Sequence, residues 1–345
     1  MDERRHRKEA QKRERELALV NKELQALKVK KEAYRSSRAL SPAWTPSPQF
    51  ALTQGALMSI LDVPSQIIGY DLQKVIKQGS RSKTSSQSRG HWLLRKGRFQ
   101  IWLTSAEAKG LLVNGNCNAA EKVSAMSFVC AMLSQSLKEM PSAITVSYFC
   151  GLNTSSKDSQ SGAAALLGSL TQQLLECQDF ELEFIDVNYG EQLQNHNLEH
   201  LIDLFRRLVE QLPDDTILFC MIDGITFYEK RNYGDEIRAV IKMLHELTVD
   251  PDLAPIFKLL VTSPLLSRSA KEYFPAEERI VVPINAGDGQ HLTMGQVKRQ
   301  TNKRTASEVE RSHDVTRSED DLELGSSEES GLDKGNFSAS AEEDD

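Results

Sequence analysis

The feature that most constrains the fold is a series of short apolar segments that alternate with longer amphipathic ones. The apolar segments have the length of strands and lie at 110–115, 143–151, 216–224, 257–263 and 279–284. Helical periodicity lies between them, at 123–140, 161–177, 197–211 and 235–248. Continuous apolar strands that are separated by helices predict a parallel sheet with helices on both faces. The sequence therefore predicts a three-layer α/β domain.

Charge divides the 345-residue chain into a nearly neutral centre and two charged arms. Residues 1–39 carry 13 Lys/Arg against 7 Asp/Glu, and residues 306–345 carry 3 against 14. The first arm is predicted to be a basic charged helix, with a short coiled-coil seam through Leu17, Val20, Leu24 and Leu27. Residues 287–345 are predicted to be a disordered acidic tail, because they have too few apolar side chains to form a core.

The segment between the basic arm and the domain, residues 40–91, is interpreted as a Pro/Ser-rich linker. It contains three prolines within seven residues, two short helices over 56–78 and a Ser-rich loop at 79–90. The domain itself is placed at 92–286 and opens with the amphipathic lead-in HWLLRKGRFQIWL. The aromatic side chains of this lead-in are expected to pack on the strands that follow.

Cysteine usage and hydropathy indicate the compartment. The five cysteines lie mostly in apolar runs and have no CxxC pairing, which predicts buried thiols in a reducing environment. The charged N-terminus does not fit a secretory signal, and no apolar run approaches the roughly 18 residues that span a bilayer. We therefore expect a soluble intracellular protein that makes no membrane contact and is cytoplasmic or nuclear.

The segment LLVNGNCNAAEKVS lies where a phosphate-binding loop would join a strand to a helix. Such a loop reads G-x-x-x-x-G-K-[ST], so that backbone N–H groups, a lysine and a hydroxyl surround the phosphates and magnesium. Gly115 fits the first glycine, but Ala120 stands at the second glycine and Glu121 at the lysine. The segment therefore has the position of a phosphate-binding loop without its spacing.

A shift of one residue recovers a lysine but not the motif. Lys122 then takes the lysine position, while Glu121 falls on the second glycine and Ser124 lies one residue beyond the hydroxyl position. A carboxylate inside an anion-binding loop repels phosphate, and its side chain obstructs the close approach of the ligand. Tight triphosphate binding is therefore disfavoured.

Two later strands end in polar residues. ILFCMIDG ends at Asp223, a position from which a carboxylate can hold magnesium through a water molecule. FKLLVTS ends at Thr262 and Ser263, whose hydroxyls are suited to sensing a γ-phosphate. An ordinary strand-ending turn explains either pattern about as well. The nearest acid for activating water, Glu229, lies six residues beyond Asp223.

Taken in order, the strand with Gly115, the YFCG strand, the DG strand and the TS strand resemble the STAND class of P-loop NTPases. They resemble most closely its NACHT-like modules, in the degenerate form found in uncharacterised fungal proteins. The resemblance covers residues 92–285 and implies a P-loop NTPase-like fold. It also implies ATP or GTP as ligand, with magnesium at Asp223 and the phosphates at Gly115, Lys122 and Ser124. Thr262 is added as a phosphate-binding candidate because of its place at the strand end. The sensor arginine and the acid after DG, both usual in that class, are missing here.

Two functions follow from this pattern. The favoured hypothesis is a pseudo-NTPase, an interaction or scaffold module with protein partners whose nucleotide chemistry is impaired or lost. The alternative is a working nucleotide-binding switch with a non-standard loop. Self-association is a further expectation, although a seam of at most two heptads is too short to hold a stable dimer alone.

Two minor motifs compete with these functions. The basic arm suits weak contact with nucleic acid, although interleaved acids such as Glu14 reduce its attraction for phosphate. The sequence HNLEH at 196–200 fits the zinc pattern H-x-x-E-H. Three fixed positions are easily met by chance, so exposed histidines near the start of a helix are the simpler interpretation.

Overall fold

A computed structural model describes residues 52–118, 121–155, 160–229, 233–286 and 289–302. The predicted basic helix and its seam, the proline-rich stretch and the acidic segment from residue 303 onward lie outside these described residues. The position of Ala120 also lies outside them.

The centre of the described chain is a five-stranded sheet in which every pairing is parallel and the strand order is β2-β3-β4-β1-β5. The strands are β1 (Lys109–Asn114), β2 (Ala143–Phe149), β3 (Ile217–Asp223), β4 (Ile256–Ser263) and β5 (Arg279–Val281). All five overlap the apolar segments of the sequence, so the predicted parallel α/β fold is confirmed. The strand order places β4 between β1 and β3.

Nine helices that lie wholly within the described residues accompany the sheet. They are α1 (Gln54–Leu61), α2 (Ser65–Ser80), α3 (Thr84–Leu94), α4 (Gly97–Thr104), α5 (Ala125–Leu137), α6 (Ala163–Leu175), α7 (Val187–Gln194), α8 (Leu198–Glu210) and α9 (Gly234–Val249). Short 3₁₀ helices follow β3 and β4, at Ile225–Phe227, Ala270–Glu272 and Ala276–Glu278. Residues 294–302 are also helical. Within the described ranges, each helix is too short or too polar to cross a bilayer.

The sheet has an apolar core on each face because the side chains of its strands alternate. Along β3, Leu218 and Cys220 join one core, whereas Phe219 and Met221 join the other. The first core is covered by α1 and α6–α9, which we call the α6–α9 layer. The second is covered by α2–α5, the α2–α5 layer. The fold thus has three layers, as the continuous apolar strands predict.

On each edge strand of the sheet, a side chain occupies backbone groups of one residue. At the β2 edge, the Gln173 amide bonds Ser147 twice, since it accepts from the backbone N–H and donates to the carbonyl, both at 2.9 Å. At the β5 edge, Arg98 Nη1 donates to the carbonyl of Arg279 at 3.0 Å. Polar groups of edge strands invite pairing with other chains, so these side chains remove exposed partners.

Most of the Ser-rich segment at 79–90 is helical, whereas the sequence predicts a loop. Residues from Thr84 onward form α3, in which the buried Gln87 donates to the carbonyls of Gly79 and Ser80 at the end of α2. Gly90 allows close packing, because a Cβ there would lie 2.9 Å from Val129 of α5. These contacts with α2 and α5 therefore override the weak helix preference of the serines.

The packed region is also wider than the sequence indicates at its ends. Of the predicted linker, residues 52–91 are described, and they contribute buried side chains such as Leu57 and Val75 to the two cores. Residues 289–302, assigned above to the tail, bury Val297, and Thr301 bonds Ser136 of α5 at 2.9 Å. The short helix α7 has no counterpart in the predicted elements.

Candidate functional site

The residues predicted to bind nucleotide come from elements at the carboxyl edge of the sheet. Gly115 follows β1, Asp223 is the last residue of β3, and Thr262 lies one residue before the end of β4. In the register of the sheet, Val113 pairs with Thr262 and Ile222 pairs with Val261. In open α/β sheets, ligands bind outside the carboxyl ends of the strands. The fold therefore gathers the predicted residues at the edge where a ligand would lie.

Backbone hydrogen bonds tie the loop after β1 to the end of β4. The N–H of Gly115 donates to the carbonyl of Ser263 at 2.8 Å, and the N–H of Cys117 donates to Pro264 at 2.6 Å. A Cβ at Gly115 would approach Met126 to 2.8 Å and the Ser263 carbonyl to 3.2 Å. Gly115 is therefore required for close packing, and two N–H groups of the loop are already bonded within the protein.

A second set of bonds holds this loop on its other side, next to β5. Asn116 has a left-handed backbone, with φ of 46°, and its amide donates to the carbonyl of Val282 at 2.7 Å. The Arg89 guanidinium of α3 donates to the carbonyl of Asn116 and, at 3.1 Å, to that of Ile284. Asparagine tolerates this conformation better than most residues. Arg89 and Asn116 thus belong to the site, although the P-loop motif marks neither.

Ser124 caps the helix that follows the loop. Its hydroxyl accepts from the N–H groups of Met126 at 3.1 Å and Ser127 at 3.2 Å. In return, the N–H of Ser124 donates to the Ser127 hydroxyl at 2.9 Å, which completes a capping box. An anion at a helix N-terminus binds to these same orphan N–H groups. In this structure, the serines satisfy donors that a phosphate would need.

Lys122 lies before the helix and not in its first turn. Its side chain is exposed and donates to the Thr154 hydroxyl at 3.0 Å, beyond the end of β2. Its carbonyl packs against Gly151, where a Cβ would come within 2.1 Å of that oxygen. Glu121 is exposed beside it. The lysine is thus directed toward the β2 end of the carboxyl edge.

Asp223 is buried in a pocket of hydroxyl groups. It is 1% exposed, and its Oδ1 accepts from the Thr262 hydroxyl at 2.5 Å. Burial raises the pKa of Asp223 to about 6, although hydrogen bonds from Thr262 and Ser127 oppose the change. Burial also raises the pKa of the neighbouring thiols of Cys130 and Cys150, and the Asp223 charge adds to this effect. The carboxylate is therefore bound by protein donors and shielded from solvent.

Glu229 anchors the chain that follows β4. Its two oxygens accept from the backbone N–H groups of Arg268, Ser269 and Ala270, at 2.8 to 3.0 Å. They also accept from the hydroxyl of Ser267 at 2.6 Å and that of Ser269 at 3.1 Å. Burial alone would raise the pKa of Glu229, but these hydrogen bonds outweigh it and hold the pKa below its usual value. Glu229 thus has a structural role for which the sequence gives no local signal.

The HNLEH motif is divided between a turn and the start of a helix. His196 is exposed with a φ of 54°, and Asn197 caps α8. His200 Nδ1 lies 3.0 Å from the Asn197 side chain, and the His200 ring meets Tyr189 edge-on. Within the residues that the structure describes, no three metal-binding side chains come together. The motif is therefore explained by helix capping and packing.

The fold and the carboxyl-edge site define a three-layer α/β domain of the Rossmann or P-loop kind. The family model of the nephrocystin 3 N-terminal region matches residues 88–263, which is just over half of the chain. The chain belongs to this family. No curated protein and no solved structure matches it. The matched region runs from α3 to the end of β4, so it includes Arg89 as well as the β1–α5 loop.

Proposed function

We propose that the domain is a pseudo-NTPase, an interaction module that keeps a STAND- or NACHT-like fold and has lost effective nucleotide chemistry. The capping box of Ser124 and Ser127 is the observation that carries this proposal. It satisfies N–H groups at the start of α5, the helix that would receive the phosphates of ATP or GTP. Proteins are the proposed partners of such a module.

The residues present do not fit a bound magnesium nucleotide. Phosphate binding at α5 would displace the Ser124 hydroxyl from two N–H groups, and loss of such a cap costs about 1 kcal/mol. Magnesium at Asp223 would compete with the Thr262 and Ser127 hydroxyls inside a closed pocket. The Lys122 ammonium would also have to leave Thr154. Each of these changes opposes binding.

The proposal is tested by calorimetric titration of the full chain with MgATP and with MgGTP at low salt. We expect no heat of binding and no rise in Tm at millimolar nucleotide. Micromolar binding that disappears in Asp223→Ala would overturn the proposal. Glu121→Gly provides a second arm, because removal of this carboxylate from the loop should raise nucleotide affinity if electrostatic repulsion contributes to the loss.

A nucleotide-binding switch is the second candidate, and one observation favours it. Gly115, Ser124, Asp223 and Thr262 all lie at one edge of the sheet, as the resemblance to P-loop NTPases implies. If the capping box alone prevents binding, Ser124→Ala should give measurable MgATP affinity, because it frees the N–H groups of Met126 and Ser127. Ser136→Ala, a change further along the same helix, is the matched control.

A further inference from the structure

One side of the domain carries an excess of exposed basic side chains. Residues 72–106, which form most of α2–α4, include 8 Lys/Arg and no Asp/Glu. The exposed members of this set are Lys77, Arg81, Lys83, Arg95, Lys96 and Arg98. Among the described residues, Arg81 and Lys83 make no ion pair, and Arg98 donates only to backbone carbonyls. This basic face is therefore available to an acidic partner.

The other side of the domain carries a matching acidic surface. Residues 176–215, from the end of α6 to the turn before β3, include 11 Asp/Glu and 2 Lys/Arg. Its exposed carboxylates are Glu176, Asp179, Glu181, Glu183, Asp186, Glu199, Glu210, Asp214 and Asp215. Glu181 and Glu183 have no ion-pair partner in the described part of the chain. We call this surface the acidic face.

The sheet separates the two faces. The basic face belongs to the α2–α5 layer, whose Val75, Leu94 and Trp102 are buried in one core. The acidic face belongs to the α6–α9 layer, whose Leu182 and Leu204 are buried in the other. A single copy therefore cannot bring its own two faces together without unfolding. Their charges can be neutralised by another molecule.

We infer that a second copy of this chain docks its acidic face on the basic face of the first. The opposite charges are of similar size, and complementary charges orient and accelerate association. The α2–α5 layer also exposes two apolar side chains, Tyr70 at 64% and Ile101 at 54%. Contact between different faces is heterologous, so each added copy leaves one basic and one acidic face free.

The distribution of charge favours a second copy over nucleic acid as the partner. At −7 the whole chain repels a second copy as well as a long polyanion, but a polyanion is negative along its whole length and carries no positive surface that could be oriented to reduce this repulsion. A second copy presents an acidic face with its own basic face directed away. This inference gives the proposed interaction module a partner, but its test is independent of the nucleotide site.

Sedimentation of the full chain at increasing concentration tests the inference. At about 0.01 M salt, where charges act over about 30 Å, we expect concentration-dependent self-association. At about 0.15 M salt the screening length falls to about 8 Å, and the association should weaken at least about tenfold. A chain that remains monomeric at the lower salt would overturn the inference, whatever the result of nucleotide titration.

Charge reversal identifies the surfaces. Arg81→Glu with Lys83→Glu changes the basic face, and Glu181→Lys with Glu183→Lys changes the acidic face. Either variant alone should remain monomeric. An equimolar mixture should associate, because the unchanged acidic face of the first variant meets the unchanged basic face of the second. Neither misfolding nor a change of net charge would restore association in the mixture.

Two further measurements control this experiment. Arg268→Glu with Lys271→Glu gives the same net charge as the basic-face variant but changes exposed residues outside both faces, so this variant should associate like the wild type. Self-association that survives reversal of the acidic face would refute the inference. A basic face that instead binds a labelled single-stranded DNA, with wild-type chains remaining monomeric, would assign the surface to nucleic acid.

Discussion

Asp223 and Glu229 are two carboxylates six residues apart, and folding shifts their pKa values in opposite directions. Asp223 is fully buried with hydrogen bonds from two hydroxyls, and its pKa is raised. Glu229 is partly buried with three backbone N–H groups and two hydroxyls, and its pKa is lowered. Burial disfavours a carboxylate charge, and donors favour it. The number and kind of donors therefore decide which effect is larger.

The largest effect that this comparison predicts is the loss of Glu229. Glu229→Ala leaves three backbone N–H groups and the Ser267 hydroxyl without their acceptor. Each unsatisfied buried donor costs about 1–3 kcal/mol, so we expect the free energy of unfolding to fall by about 3–5 kcal/mol. Denaturant unfolding measures the change. Glu229→Gln keeps one acceptor oxygen and should lose less; equal losses would contradict the anchoring role.

The second prediction concerns the pH dependence that Asp223 contributes. Its pKa rises from 3.8 to about 6 on folding, so the folded state holds the proton more tightly. The free energy of unfolding should therefore fall by about 3 kcal/mol as the pH rises from about 4 to about 6. Above pH 6, Asp223 should change it little. Comparison of wild type with Asp223→Asn, by unfolding at several pH values, isolates the effect.

Glu229 should show the opposite slope in the same experiment. Its pKa is lowered on folding, so its stabilisation is present above the ordinary pKa of 4.5 and is lost as the pH falls through the folded value. The difference between wild type and Glu229→Gln should therefore shrink in acid. Slopes of the same sign for the two carboxylates would refute the comparison.

A smaller effect is expected from the shortest hydroxyl contact of Glu229. Ser267→Ala removes the donor at 2.6 Å but leaves all three backbone N–H groups in place. Because this hydrogen bond is to a charged group, we expect a loss of about 1.5–2 kcal/mol in unfolding free energy. Ser267→Thr, which keeps a hydroxyl, should retain most of the stability.

The smallest effect is expected at Ser127, which links the helix cap to Asp223. Ser127→Ala should cost about 1 kcal/mol through the capping box and raise the pKa of Asp223 further, because one donor is lost. Ser124→Ala weakens the same cap but keeps the Ser127 hydroxyl. Only Ser127→Ala should therefore move the pH at which Asp223 affects stability.

The strands and the four longest helices of the α/β region could be predicted because their patterns are local. Apolar runs that end at Asn114, Asp223 and Ser263 identify parallel strands, and the carboxyl ends of those strands define the site. The serine-rich composition wrongly predicted a loop where α3 begins. The contacts that stabilise this helix come from residues distant in sequence, such as Leu292 and Val129. Periodicity and turn residues carry no information on such contacts.

The bonding partners of the site residues were less predictable than their positions. Glu229 binds residues about 40 positions away, and Arg89 reaches the loop from a separate helix. Ser127 lies outside the P-loop pattern, yet it completes the cap and bonds Asp223. A pattern of residue types gives the order of the parts along the chain. It does not show which donors the folded protein has already satisfied.

The side chains bonded to the two edge strands oppose one way in which this domain could recognise another protein. Ser147 and Arg279 lie on opposite edge strands, and each has backbone groups occupied by a side chain, from Gln173 and Arg98. A peptide that extends the sheet by β-augmentation would have to displace these side chains first. The outer surfaces of the helices present no such obstacle, and specificity there depends on side chains and not on main-chain pairing.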